Sequence, residues 1–302
     1  MARGHRFFLE AMGQVWAIEQ TKGLAVAAFL ARIAREDVER QEIGARKIPP
    51  KKEELIRRLD GDVALIEMHG VLSQRLNLME DVSGGVSTDL LAGAIRHAGA
   101  DPSYKAIVLH VDSPGGSIYG LPGLAAAVNE AKSKKAVIAQ VDSMAASAAY
   151  WIASQATEIV ASPGSDIGSI GVYALHEDVS GMLEREGIKE TFIFAGKYKV
   201  EGNPYEPLSE DARHSMQARV DVAMKDFLST VAEGRGRDIK DVEKNFGQGR
   251  LLEARDALKV GMIDRIASPG ETLARFAKSA SAVRKIQVEK DRRKIELLRR
   301  KD

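Results

Sequence analysis

From Asp62 onward, short apolar runs alternate with helix-like stretches, and this alternation restricts the fold more than any other feature of the chain. Val63–Leu72, Ala106–Val111, Ala136–Val141 and Glu158–Ala161 read as strands. Thr88–Ala98, capped by Ser87, and Leu121–Lys132 read as helices, and the small residues from Ala145 to Ala156 as a third. Ile170–Tyr173 and Thr191–Phe194 read as further strands, with a helix at Ser180–Glu186 between them. Ser209–Gly234 is a long amphipathic helix with Met216, Val220, Met224, Phe227 and Val231 on one stripe. Ile239–Phe246 and Glu253–Lys259 are shorter helices, and Gly261–Ile266 closes the domain as a last strand. The implied class is α/β: repeated βα units building a mostly parallel, buried sheet flanked by helices.

The ends differ from this middle. Residues 1–34 read as helical, with Trp16, Ile18, Leu24, Phe29, Leu30 and Ile33 as apolar contacts, and the charged stretch 35–60 holds Pro49-Pro50. The expected division is a helical N-terminal arm and charged linker (1–60), one domain (61–268) and a basic tail, helical or disordered (269–302). Residues 278–302 carry ten Lys/Arg against four Asp/Glu, while the whole chain has a net charge of only +1. That balance argues against a general nucleic-acid binder; the basic tail is read as a solvated segment, with scaffold binding as the alternative. The chain has no cysteine, which excludes disulfides, a thiol nucleophile and a Cys-ligated zinc. No cluster suggests a metal, and no cofactor is expected. The apolar run Leu24–Ala31 is too short to span a bilayer and lacks a signal-peptide layout. The expected compartment is the cytoplasm.

Four stretches carry chemistry. Ser147 follows the apolar run ending at Val141 and stands at the mouth of a helix, where backbone N–H groups are unpaired and the dipole favours negative charge. The competing interpretation is an N-cap serine. Asp112-Ser-Pro-Gly-Gly-Ser117 lies at the carboxyl end of a strand, the edge where open α/β sheets bind ligands, and its glycines let backbone approach a substrate. It is no phosphate loop, because no Gly-Lys-Ser/Thr follows. Gly168-Ser-Ile-Gly171 and Gly196-Lys-Tyr-Lys-Val-Glu-Gly-Asn-Pro204 complete the set.

In this order and spacing the four stretches resemble the S49 serine peptidases, the signal peptide peptidase A family, whose fold is related to that of Clp proteases and crotonases. The resemblance covers roughly residues 62–268. It implies Ser147 as nucleophile, Lys199 as general base and Ser169 as the residue orienting that lysine. It implies Gly115, with Gly116 beside it, and Ala148 as the oxyanion hole. Ala148-Ala149 stand where many members have Gly-Gly; the Ala148 N–H survives, and the added methyls narrow the cleft. A serine hydroxyl needs an adjacent base, and a neutral lysine can serve. Free lysine has a pKa of about 10.4, so the base must be desolvated to be neutral. Phe192, Ile193, Phe194 and Tyr198 offer the apolar surface. A peptide is expected to bind by strand addition beside Gly116, Ser117 and Ile118, with Ala148, Ala149 and Tyr150 lining a narrow cleft.

Other arrangements are weighed against this one. A Ser-His-Asp triad would use His176 and Asp221. A crotonase-like acyl-CoA enzyme would need no Ser147–Lys199 pair. The layout, an N-terminal arm containing Gln14–Ile18 and a basic tail without a membrane-spanning helix, resembles phage and prophage members of the family, head maturation proteases acting on scaffold and portal proteins. The alternatives are a host cytoplasmic protease of the signal peptide peptidase type and an inactive capsid-assembly factor. The resemblance also implies a homo-oligomer, a ring or dome.

Overall fold

The computed structural model describes residues 15–23, 52–60, 62–74 and 85–276. Leu24, Phe29, Leu30, Ile33, Pro49-Pro50 and residues 277–302 of the basic tail lie outside them.

The first described strand is β1 (Trp16–Ile18), followed by β2 (Ile56–Leu59), β3 (Val63–His69), β4 (Leu72–Ser73) and β5 (Val86–Ser87). Helix α1 (Thr88–Ala100) starts where Ser87 Oγ accepts the N–H of Leu90, a side-chain cap at the expected residue. Then come β6 (Ala106–Ser113), β7 (Gly115–Ser117), α2 (Leu121–Lys132), β8 (Ala136–Ala146) and α3 (Ala148–Ala153). The chain continues through β9 (Glu158–Ala161), β10 (Asp166–Gly168), α4 (Ser180–Arg185), α5 (Glu210–Arg235) and α6 (Ile239–Asn245). It closes with β11 (Leu251–Glu253), α7 (Ala254–Val260) and β12 (Arg265–Ile266).

The main sheet runs β11-β10-β8-β6-β3-β2, with β9 on β8 and β12 on β9. Its pairs are parallel except the outermost, β2–β3 and β10–β11. The expected α/β architecture with a mostly parallel sheet is therefore present. The central strands are buried on both faces, which is why their sequences are continuous aliphatic runs. One face packs Ile66, Ile107 and Leu109 under helices α1 to α3. The other packs Val63, Leu65, Val108, Ile138 and Val160 against Leu273 and Phe276, residues the sequence reading assigned to the tail.

Strand β8 forks. Its first half, Ile138–Val141, pairs with β9, and its last residues, Met144–Ala146, pair with β10. The fork opens just before Ser147. A second, small sheet, β1-β7-β4-β5, stands beyond the carboxyl ends of β3 and β6. Helix α5 closes over α3 through Trp151 and Phe227, whose rings stack with centroids 4.5 Å apart.

Three expectations need correction. Trp16–Ile18 is a strand rather than part of a helix, because it pairs with Gly115–Ser117 far along the chain. The strand expected at Ile170–Tyr173 lies instead at Asp166–Gly168, where β8 and β11 flank it on either side. Thr191–Phe194 forms no strand. Among the described residues no backbone pairs with it, and Ile193 is 99% exposed.

Candidate active site

Ser147 occupies the sharp turn from β8 into α3, with φ 54° and ψ −119°. Such a conformation is uncommon for a residue with a Cβ and marks a position held by its surroundings. The hold is local: the Ser147 N–H donates to Gly168 O at 2.6 Å, and the Ser147 carbonyl accepts the Trp151 N–H at 2.9 Å. Alanines on both sides make the tight turn possible, since Ala145, Ala146, Ala148 and Ala149 are fully buried. The Ser147 side chain makes no capping hydrogen bond. Its Oγ donates instead to Gly171 O, at 3.3 Å, so the N-cap interpretation fails and the hydroxyl points across the turn. Ser147 has no exposed surface.

The glycine turn after β6 lies against this hydroxyl's helix. A methyl built on Gly115, whose φ is 98°, would sit 3.0 Å from Ala148 N and 3.0 Å from Ala146 O and would collide with Ala17 O. Only glycine fits there. The Gly115 N–H donates to Ser113 Oγ at 3.2 Å, and Ser113 Oγ donates onward to Gly70 O at 2.6 Å. Ser113 is a residue whose role sequence reasoning missed; its place beside the two glycines was the only signal. As the first residue of α3, Ala148 carries one of the N–H groups a helix leaves unpaired. Ser169 is nearly buried, with φ 53°, and its N–H donates to Arg250 O at 2.9 Å. It stands beside Ser147 through the Gly168 carbonyl.

Lys199 is elsewhere. It lies in an exposed turn whose N–H bonds Gly196 O at 3.0 Å. With His176, Phe192, Asn203 and Met216 it lines a cavity of about 490 Å³ that neither Ser147 nor Ser169 lines. The desolvation expected for this lysine is not present within one chain, because the apolar residues meant to supply it are themselves exposed. The triad is also not assembled. His176 Nε2 pairs with Asn203 O at 3.0 Å, and Asp221 accepts from Gln217 on the exposed face of α5.

Two residues expected to line the cleft are core residues instead. Ala149 is fully buried, and Tyr150 is buried with its hydroxyl donating to Met262 O at 2.9 Å. Burial pushes the Tyr150 phenol well above its ordinary range. Ser117 is buried against Trp16, and the Ile118 N–H donates to Val15 O at 3.4 Å.

The sequence pattern of peptidase family S49 matches residues 129–284. The chain belongs to peptidase family S49. That match takes in Ser147, Ser169 and Lys199. The chain is 29% identical over 227 residues to the head-tail preconnector protein GP5 of Enterobacteria phage P21, covering 75% of this chain and 45% of that protein. It is 27% identical over 211 residues to capsid assembly protease C of Escherichia phage lambda, covering 70% and 48%. To Protease 4 of Salmonella typhi it is 31% identical over 221 residues, covering 73% and 35%. The chain thus spans about half, or less, of the length of these curated relatives.

Proposed function

We propose that this chain is a serine endopeptidase with Ser147 as its nucleophile. The observation that carries the reading is the Ser147 turn: a hydroxyl freed from capping, on a strained strand-to-helix corner, beside the N-terminal N–H of α3 and a turn that admits only glycine. The same construction presents nucleophiles on other α/β sheets. Ser147 Oγ attacks the peptide carbonyl, and its proton passes to the neutral amine of Lys199. The Ala148 N–H and the glycine turn hold the oxyanion. The lysine then protonates the leaving amine, and water releases the acyl group by the same steps in reverse order.

Because Lys199 and its apolar neighbours are exposed in one chain, the base in this reading comes from a second copy. Ile188, Phe192, Ile193, Phe194 and Tyr198 cover themselves in that contact and dry the lysine. This reading requires the homo-oligomer that the family resemblance implies. Among the described residues no helix is long and apolar enough to cross a membrane. The names of two relatives, a capsid assembly protease and a head-tail preconnector protein, favour capsid precursors such as scaffold or portal protein as substrates, met in the host cytoplasm or the prohead.

The test is prolonged treatment with a fluorophosphonate and mass-spectrometric mapping of the adduct, expected on Ser147 and absent from Ser147→Ala. Modification of a different serine, or undiminished peptide hydrolysis by pure Ser147→Ala, would refute the assignment.

A further inference from the structure

Ser147 has no exposed surface, and the chain's own N-terminal region lies along the glycine strand beside it. β1 lies antiparallel along β7, with Trp16 opposite Ser117, Ala17 opposite Gly116 and Ile18 opposite Gly115. The Glu19 N–H donates to Pro114 O at 2.8 Å, and the Ile118 N–H donates to Val15 O at 3.4 Å. By antiparallel alternation Ala17 and Gly116 form the hydrogen-bonded pair between them. The opposite edge of the segment is also paired: the Trp16 N–H donates to Tyr173 O at 2.9 Å, and the Tyr173 N–H to Trp16 O at 3.0 Å.

Residues 15–19 are therefore an extended peptide held on both edges. One edge meets the strand that carries the two glycines. The other meets the segment that follows Ser169. The far edge of β7 is taken by Leu72, so a peptide adding to β7 has only the edge that β1 fills. The Ala17 carbonyl and the Ala148 N–H both crowd the Cβ position of Gly115. Ala17 thus presents a carbonyl beside the glycine turn expected to form the oxyanion hole, with a small, fully buried side chain. Past Val15 the groove goes on, lined by Ile118, Tyr119, Arg219 and Val222.

From this we infer that Val15–Glu19 is an intramolecular, substrate-like occupant of the peptide groove at Ser147, and that it holds the enzyme latent until it leaves. The inference rests on Ser147 being the nucleophile. A three-residue strand is a weak element by itself, with each hydrogen bond worth about 1 kcal/mol net. Tethering raises its effective concentration to the order of millimolar, so a free peptide making the same contacts at lower concentration loses the competition. The occupant also defines the ligand class: an extended peptide with a small residue opposite Gly116 and apolar neighbours, as in Val-Trp-Ala-Ile.

Two variants of the full chain vacate the groove. Ala17→Pro removes the N–H that faces Gly116. Gly23→Val puts a Cβ on the Tyr173 hydroxyl and 2.9 Å from Ile18 Cγ2, pushing on the clasp and on the end of β1 together. Each is made with and without Ser147→Ala, and circular dichroism verifies the fold. The probe is a fluorescent peptide copying residues 14–20, followed by anisotropy on the Ser147→Ala forms. Binding should tighten about tenfold or more once the tethered competitor is gone, and fluorophosphonate labelling of the Ser147 forms should accelerate by a similar factor. Equal peptide affinity and equal labelling rates in folded variants would overturn the inference while leaving the peptidase reading intact. Tighter peptide binding with labelling on another serine would leave the occupant in place and remove Ser147 as nucleophile. Should neither variant fold, excess peptide added to the unaltered protein must speed hydrogen exchange at the Trp16 and Tyr173 amides; unchanged exchange counts against the occupant.

Discussion

The Ser147 N–H donates to the Gly168 carbonyl at 2.6 Å, one residue before Ser169. The two serines of the candidate site are joined through backbone, at the point where β8 passes from one neighbour to the next. Gly168 has φ 123°, and a methyl on it would come within 2.9 Å of Arg250 O. Ser147→Ala should keep the melting temperature of the parent, since the turn is held by main-chain bonds, while peptide hydrolysis falls by about 10⁴-fold or more. Gly168→Ala should lose both activity and about 1–3 kcal/mol of stability through backbone strain. Thermal melts and kcat/KM on a short fluorogenic peptide separate the two. A Gly168→Ala protein with parental kcat/KM would show that this bond does not position the nucleophile.

Lys199 and His176 line the same cavity but differ in their bonds, and mutation tells them apart. Lys199→Met should abolish hydrolysis, and His176→Ala, which loses only the contact with Asn203 O, should retain it to within a few-fold. If the base is supplied between copies, mixing inactive Ser147→Ala with inactive Lys199→Met restores part of the activity. Mixed oligomers that stay inactive, under conditions where the subunits demonstrably exchange, would place both groups in one chain.

Much of this fold was legible because its signals are local. Ser87 sets the start of α1, and Leu121–Lys132 has the bounds its composition dictates. The readings failed where pairing is distant. The small residues Ala145–Ala156 overrun α3, which is Ala148–Ala153. Ala136–Val141 reads as a strand, but its extension to Ala146, which takes in Ala145 and Ala146, depends on β10. Trp16–Ile18 looks like any apolar triplet until Gly115–Ser117 is brought beside it. Thr191–Phe194 has the composition of a strand and no partner in the described chain, so its apolar side chains stay exposed. The site divides the same way. Ser147 could be found from the strand-to-helix transition that makes its turn. Lys199, which the resemblance pairs with Ser147, lines a separate cavity within one chain.

The stack of Trp151 on Phe227, interplanar angle 16°, ties α3, the helix that follows Ser147, to α5. Phe227 is fully buried. Phe227→Ala should destabilise the protein by about 3–5 kcal/mol, as large aromatic truncations do, visible as a lower urea midpoint at unchanged slope. A loss under about 1 kcal/mol would mean that the site collapses around the gap and that α5 does not anchor α3.

The last prediction concerns acid. Asp62 opens β3 in a left-handed conformation, φ 61°, and its carboxylate accepts from Arg58 Nη2 at 2.8 Å and Lys105 Nζ at 3.0 Å. The Arg58 hydrogen bond, with that of Lys105, holds its pKa down to about 2. A carboxyl whose folded pKa lies below its unfolded value of about 3.9 stabilises the fold fully above that pH and loses the contribution as pH falls toward 2. Asp62→Asn keeps a residue that tolerates the left-handed turn and removes only the charge. The variant should be less stable than the parent at neutral pH, by a small margin because the group is exposed. The gap should close between about pH 4 and pH 2 and shrink with added salt. Urea titrations across pH 2–7 measure it. A gap that stays constant down to pH 2 would mean that Asp62 does not stabilise the fold through its charge, since the variant keeps the backbone bond to Lys105 N, at 2.8 Å.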